Sequence, residues 1–157
     1  MIVNGEADAM VTGVTRSFKA SFEHVRRVID SKDEEIFVSC SMLILKGRTV
    51  FLGDTSIYER PTAEQLARIA ISVSNQARLM GHTPRVALLS FSNFGNPSGP
   101  STDHIAKATK ILDSMNVNFE YDGEMSAEVA LNYDLQRQRY PFCRLTGAAN
   151  ILIMPGL

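Results

Sequence analysis

The chain has 157 residues, one domain's worth, and its 45% hydrophobic content is enough to bury a core. Its formal net charge of −1, with no block of like charges, excludes the basic footprint of a nucleic-acid binder and the basic face of a membrane-surface protein. No apolar run approaches a membrane span and the start, MIVNGEADAMV, lacks the parts of a signal peptide, so the chain reads as cytoplasmic, with small molecules or proteins as partners.

In chain order, Met1 to Gly13 reads as a small-residue strand that ends in a turn at Thr12-Gly13. From Phe18 to Asp30, Phe18, Phe22, Val25 and Ile29 recur at helical spacing, with Ser21 as the cap. Arg16, Lys19, Arg26 and Arg27 cluster around this helix, either as a solvated face or as a contact for a phosphorylated ligand. Ile36 to Leu45 and Thr49 to Leu52, joined by Lys46-Gly47-Arg48, predict a hairpin and so a mixed sheet. Thr62 with Gln65 forms a capping-box pattern that opens a helix with the stripe Leu66, Ile69, Ala70, Val73, Ala77 and Met80, stopped by Gly81 and Pro84.

Val86 to Leu89 is an unbroken apolar run, the pattern of a strand covered on both faces. It opens into Ser90, Ser92, Asn93, Gly95, Asn96, Ser98 and Gly99, with Pro97 and Pro100 before a helix capped by Ser101, Thr102 or Asp103. The carboxyl end of a strand followed by free backbone N–H groups at a helix start is where open α/β sheets hold anions. The same pattern is also an ordinary βα connection, and it matches neither common phosphate-loop motif. Ile105, Ala108, Leu112 and Met115 give the next helical face, and Val117 to Tyr121 a strand that leads into Asp122-Gly123-Glu124. Those two carboxylates read as a turn in preference to a metal site or an acid and base pair. Ser126 to Leu135 is helical, and Asn150 to Met154 is a last buried strand.

Cys40 and Cys143 have no CxxC spacing and read as buried thiols. His24, His82 and His104 have no metal-ligand spacing, no G-x-S-x-G elbow is present, and there is no repeat or low-complexity linker. Both ends fall abruptly against core strands, so the expectation is one domain, residues 1–157, truncated at both ends.

ADAMVTG, GRTVFLGDTS, PTAEQLARIAI, PRVALLSFSNFG, YDGEM and GAANILIMP occur in one order across nearly the whole chain. In that order they resemble the phosphate acetyl/butyryltransferases. TGVTRSF, VRRVID and YPFCRLTG resemble in particular the version fused to the C-terminus of bacterial NADP-dependent malic enzymes. The resemblance implies an α/β, three-layer αβα sandwich with a mixed, mostly parallel sheet, similar to isocitrate and isopropylmalate dehydrogenases, built as a homodimer or higher homo-oligomer. It implies acetyl-CoA, CoA or acetyl phosphate as ligand. It also implies an upstream malic-enzyme domain that carries NADP and a divalent metal, with no cofactor or metal held here.

By the same resemblance Arg26 matches a phosphate-binding arginine, and Arg16 stands where stand-alone transacetylases tend to have His or Asn. Ser90, Ser92, Asn93 and Gly95 match the cleft loop, and Glu124 and Asn150 match cleft-lining positions. The family's serine-arginine pair and its aspartate, which act beside the thiol, have no counterpart among the 157 residues. The implied role is therefore acetyl-CoA sensing by a catalytically inactive piece of a malate-decarboxylating enzyme, with an acyltransferase between CoA and phosphate as the alternative.

Overall fold

The computed structural model describes residues 2–29 and 36–156. The chain divides into two compact units, Met1–Phe37 and Val38–Leu157.

In the first unit the described residues before Gly13 form turns and no strand, with Gly5 N–H donating to Ile2 O at 3.0 Å. The strand predicted there is corrected. Among the described residues of this unit no second strand lies beside it to complete a ladder. Met1 itself lies outside the described residues. Helix α1 (Phe18–Arg26) is capped by Ser17, whose hydroxyl accepts from Ala20 N–H at 3.3 Å, and not by Ser21. The predicted end at Asp30 lies outside the described residues. Phe18 stacks on Phe22 at 5.8 Å, and Phe37 meets Phe22 edge-on at 5.6 Å.

The second unit is an α/β structure on a mixed five-stranded sheet of order β1-β2-β5-β3-β4. Its strands are β1 (Cys40–Leu45), β2 (Arg48–Gly53), β3 (Arg85–Leu89), β4 (Glu120–Met125) and β5 (Ile151–Ile153). Only the β1–β2 hairpin is antiparallel, and the turn at Lys46-Gly47 sets Leu45 against Arg48. Helix α2 (Ala63–Leu79) starts with the full capping box: Thr62 Oγ1 accepts Gln65 N–H at 3.2 Å while Gln65 Oε1 accepts Thr62 N–H at 2.8 Å. Its stripe, Leu66, Ile69, Ala70, Val73 and Ala77, is almost wholly buried, and burial of each large side chain contributes about 1.5–3 kcal/mol.

Helix α3 (Pro100–Ser114) pairs with α2. Ala87, Leu89, Val50 and Leu152 lie in one cluster with Val129, Ala130 and Leu145, so this face of the sheet is covered by α4 (Ala127–Leu131) and the segment that follows. Val86 and Leu88, by alternation, face the α2–α3 side. The single helix predicted from Ser126 is two, α4 and α5 (Tyr133–Arg139), because Asn132 is extended between them and its side chain caps the second.

Candidate functional site at the carboxyl edge of the sheet

β3 and β4 run parallel, so both deliver their following loops to one edge of the sheet. The register slips by one between Leu88 and Leu89: Leu88 faces Gly123 and Leu89 faces Met125, which leaves Glu124 as a bulged residue. The bulge turns its carboxylate toward the loop after β3. Glu124 Oε1 accepts the hydroxyl of Ser92 at 3.1 Å and the backbone N–H of Gly95 at 2.6 Å, and Glu124 O accepts Phe94 N–H at 2.8 Å. Ser90 N–H donates to Met125 O at 2.9 Å, and Ser126 N–H donates to Asn93 Oδ1 at 2.8 Å. Asn93 and Asn96 exchange backbone bonds at 3.1 and 3.2 Å across Phe94 (φ 51°) and Gly95 (φ 86°), the two left-handed residues of a type I′ turn. The structure thus gathers Ser90, Ser92, Asn93, Gly95 and Glu124 into one hydrogen-bonded cluster. Within it Glu124 is buried and acts as a clamp on the loop.

The helix start beyond the loop differs from the expectation. The N-cap is Gly99, with Pro100 as the first helical residue, so the cap is not Ser101, Thr102 or Asp103. Thr102 Oγ1 accepts Gly99 N–H at 3.0 Å, and Thr102 and Asp103 N–H both return to Gly99 O. Most donors of this turn are therefore used internally: Asn96 N–H is bonded to Asn93 O and Pro97 has none, so the donors left for a ligand are the exposed Asn96 side-chain amide and Ser98. Beside it stand Phe94, Tyr140 and Phe142, with ring centroids 5.0–6.1 Å apart, Phe142 being 64% exposed.

Asp122-Gly123-Glu124, expected to be a turn, lies inside β4. Its acidic side chains each hold a separate segment. Glu120 accepts Thr146 N–H at 2.9 Å and its hydroxyl at 2.8 Å. Asp122 accepts Arg144 N–H at 2.8 Å and faces its guanidinium at 3.4 Å. Glu124 holds the β3 loop. Arg144 also reaches Asp113 at 2.6 Å and lies 4.8 Å over the Tyr121 ring, while Tyr121 donates to Asp113 at 2.6 Å. The Tyr121 hydroxyl, then Arg144, hold the Asp113 carboxyl below its ordinary value. Burial, then Asp113, push the Tyr121 phenol up. Burial works against the Arg144 charge, but Asp113 and Asp122 raise its pKa overall. Sequence reasoning passed over Glu120 and Arg144; the alternating acids of E-Y-D-G-E were the available signal.

Asn150 is not part of the cluster. It precedes β5 at the amino edge, where its Oδ1 accepts Arg85 N–H at 2.8 Å and its Nδ2 donates to Thr83 O at 2.9 Å. Arg16 and Arg26 belong to the first unit. Arg16 lines a cavity of about 590 Å³ with Ser21, His24, Val25 and Ile29, and Arg26 lies over the rings of Phe22 and Phe37 at 5.7 and 5.6 Å. Cys143 is buried as expected, but Cys40 lies exposed on β1, an outer strand of the sheet.

The chain is 48% identical over 155 residues to an NADP-dependent malic enzyme of Rhizobium meliloti, covering 99% of this chain and 20% of that protein. It is 34% identical over 158 residues to a phosphate acetyltransferase of Nitratidesulfovibrio vulgaris, covering 100% of this chain and 22% of that protein. The chain therefore spans about a fifth of the length of these relatives. A phosphotransacetylase from Streptococcus pyogenes superimposes with a TM-score of 0.88 at 28% identity, covering 99% of this chain and 48% of that one. The profile of the phosphate acetyl/butaryl transferase family matches residues 1–157, so the chain belongs to that family, as the transacetylase-like piece found in malic enzymes and in transacetylases.

Proposed function

We propose that this chain is the acetyl-CoA-sensing, transacetylase-like part of an NADP-dependent malic enzyme, tuning oxidative decarboxylation of malate to pyruvate in the cytoplasm while transferring no acyl group itself. The observation that carries the reading is the 48% identity to a malic enzyme over nearly the whole chain, against 34% to a phosphate acetyltransferase. The clamped loop is compatible with it: Glu124 is engaged by Ser92 and Gly95, an arrangement that shapes a binding surface. In this reading the Asn96 side-chain amide, Ser98 and the aromatic wall take part of acetyl-CoA or acetyl phosphate; within the first unit, Arg16 and Arg26 are the candidate phosphate contacts. NADP and the divalent metal belong to an upstream malic-enzyme domain. The sheet is that of an isocitrate or isopropylmalate dehydrogenase-like three-layer sandwich, and the protein works as a homo-oligomer.

The test is malate-dependent NADPH formation by the longer protein with and without acetyl-CoA, with acetyl-phosphate-dependent acetyl-CoA synthesis followed in the same preparation. A rate changed by acetyl-CoA, without acetyl transfer, supports the sensor. Acetyl transfer without malate oxidation supports the second reading, a phosphate acetyl- or butyryltransferase, which the Nitratidesulfovibrio vulgaris relative favours.

A further inference from the structure

Asn4-Gly5 is the one place in the chain where glycine follows asparagine. The pair matters chemically because a backbone amide nitrogen can attack the side-chain carbonyl carbon of the residue before it. Glycine in second place has no Cβ to hinder that closure and the widest choice of backbone angles from which to reach it. In the first unit Ile2, Val3, Asn4 and Gly5 form a turn, closed by Gly5 N–H on Ile2 O at 3.0 Å with glycine in the fourth position. Asn4, Gly5 and Glu6 are exposed, and among the described residues nothing lies within 4 Å of the place a Cβ would take at Gly5. Water therefore reaches both reacting groups.

The Asn4 side chain is held lightly. Its Nδ2 donates to Glu6 Oε1 at 3.4 Å, a long exposed bond that spans the Gly5 peptide and lays the carboxamide along it. Asp122-Gly123 is the contrasting pair, because an aspartate before glycine has the same ring closure open to it. There the acid is buried, its carboxylate accepts the N–H groups of Arg144 and Gly123 at 2.8 and 2.9 Å, and it faces the Arg144 guanidinium at 3.4 Å. Gly123 is fixed in β4 opposite Leu88. A paired carboxylate is a poor electrophile and the ladder holds the backbone, so Asp122-Gly123 stays open. The folded structure separates two pairs that the sequence ranks together.

We infer that Asn4-Gly5 is a site of spontaneous covalent modification, deamidation through a cyclic imide. Gly5 N–H releases Ile2 O and gives its proton to hydroxide, and the nitrogen attacks Asn4 Cγ. A Cγ–N bond forms, the Cγ–Nδ2 bond breaks and ammonia leaves. Water then opens the imide: attack at the side-chain carbonyl leaves aspartate, and attack at the main-chain carbonyl leaves isoaspartate, with the backbone rerouted through the side chain. The balance is an amide and water giving a carboxylate and ammonium, with no oxidant or reductant. The Gly5 bond must open first, which costs little in an exposed turn. Asn4 lines the cavity of the first unit together with Arg16 and His24, so the product places a negative charge in a wall that now carries a neutral amide. Isoaspartate also adds a methylene to the main chain, and the turn no longer closes on Ile2 as it does now.

The test incubates the full 157-residue chain, folded and in urea, in mildly acidic and mildly alkaline buffer. Peptide mass spectrometry follows amide-to-acid conversion, and enzymatic methylation of the isoaspartyl carboxyl gives a second readout. Conversion is expected at Asn4 in the folded chain, faster in the alkaline buffer, with more isoaspartate than aspartate and with Asp122-Gly123 unchanged. Gly5→Ala is expected to slow it on the order of tenfold, folded and in urea alike, through the added Cβ. Asn4→Gln, whose closure needs a larger ring, is expected to show no conversion over the same time. An Asn4 that stays intact in the folded chain, whether or not it converts in urea, overturns the inference. So does an equal rate in Gly5→Ala, or conversion of Asp122-Gly123 as fast as that of Asn4.

Discussion

Glu124 Oε1 accepts the backbone N–H of Gly95 at 2.6 Å, so the bulged residue of one strand sets the path of the loop that leaves its neighbour. Removing that acceptor strands the buried Ser92 hydroxyl and releases the amide of Gly95 on the exposed side of the loop. Glu124→Ala is expected to cost about 1–3 kcal/mol in urea unfolding and Ser92→Ala about 1 kcal/mol. Amide exchange at Gly95 separates the two effects: it accelerates in Glu124→Ala and stays slow in Ser92→Ala, where the carboxylate still accepts that N–H.

Gly123 is expected to tolerate no side chain. Its φ is +153°, and a Cβ there would lie 2.8 Å from Leu88 O and 2.9 Å from Leu88 Cβ, inside the β3–β4 ladder. Gly123→Ala is expected to lower stability by about 2–4 kcal/mol, measured by denaturant midpoint with an unchanged m-value.

Asp113 gives the acid limb of stability a local component. Its folded carboxyl is held below the ordinary value by the Tyr121 hydroxyl and Arg144, so the stabilisation is full above the ordinary carboxylate range and is lost as pH falls through the lower folded value. The side chain is 48% exposed, so the effect is at most about 1 kcal/mol, appearing below about pH 4. Asp113→Asn is expected to lower stability by at most about 1 kcal/mol near neutrality and to match the parent chain once pH has fallen through that window, as read by thermal melts against pH.

The two thiols are expected to react in order. Burial, with Asp122 close by, pushes Cys143 up to about 11, leaving about one thiolate in a thousand at pH 8. Cys40 is exposed on β1, and burial raises it less far. Alkylation followed by peptide mass spectrometry is expected to label Cys40 in the native protein and Cys143 only after unfolding.

What could be read from the chain in advance was what is local. The Thr62–Gln65 box, the Gly81 stop and the Lys46-Gly47 turn carry their own geometry, and helix α2 and the hairpin stand where those residues put them. Asp122-Gly123-Glu124 reads as a turn because its partners are distant in sequence: Arg144 lies 22 residues on, and Gly95 and Ser92 lie 29 and 32 residues back. Only with those donors in place can acidic residues sit buried in a strand. Asn150 shows the same limit for the site. Its identity matched a cleft position, but the direction of β5 decides which edge of the sheet it occupies, and that direction comes from pairing with β2 and β3. The break at Asn132 was legible in principle, since an asparagine followed three residues later by Leu135 can cap a new helix, but the apolar spacing on both sides hid it.

The strand order carries a consequence for synthesis. β5 is the last of the five strands to be made, yet it lies between β2 and β3 and is the only bridge from the hairpin to the rest of the sheet. Until Ile151–Ile153 has left the ribosome, the hairpin and the β3–β4 pair are two half-sheets with open inner edges, and α2 has only part of a surface to pack on. Assembly of the sheet must wait for its final strand, so a nascent chain stalled before residue 151 exposes the apolar edges that chaperones bind.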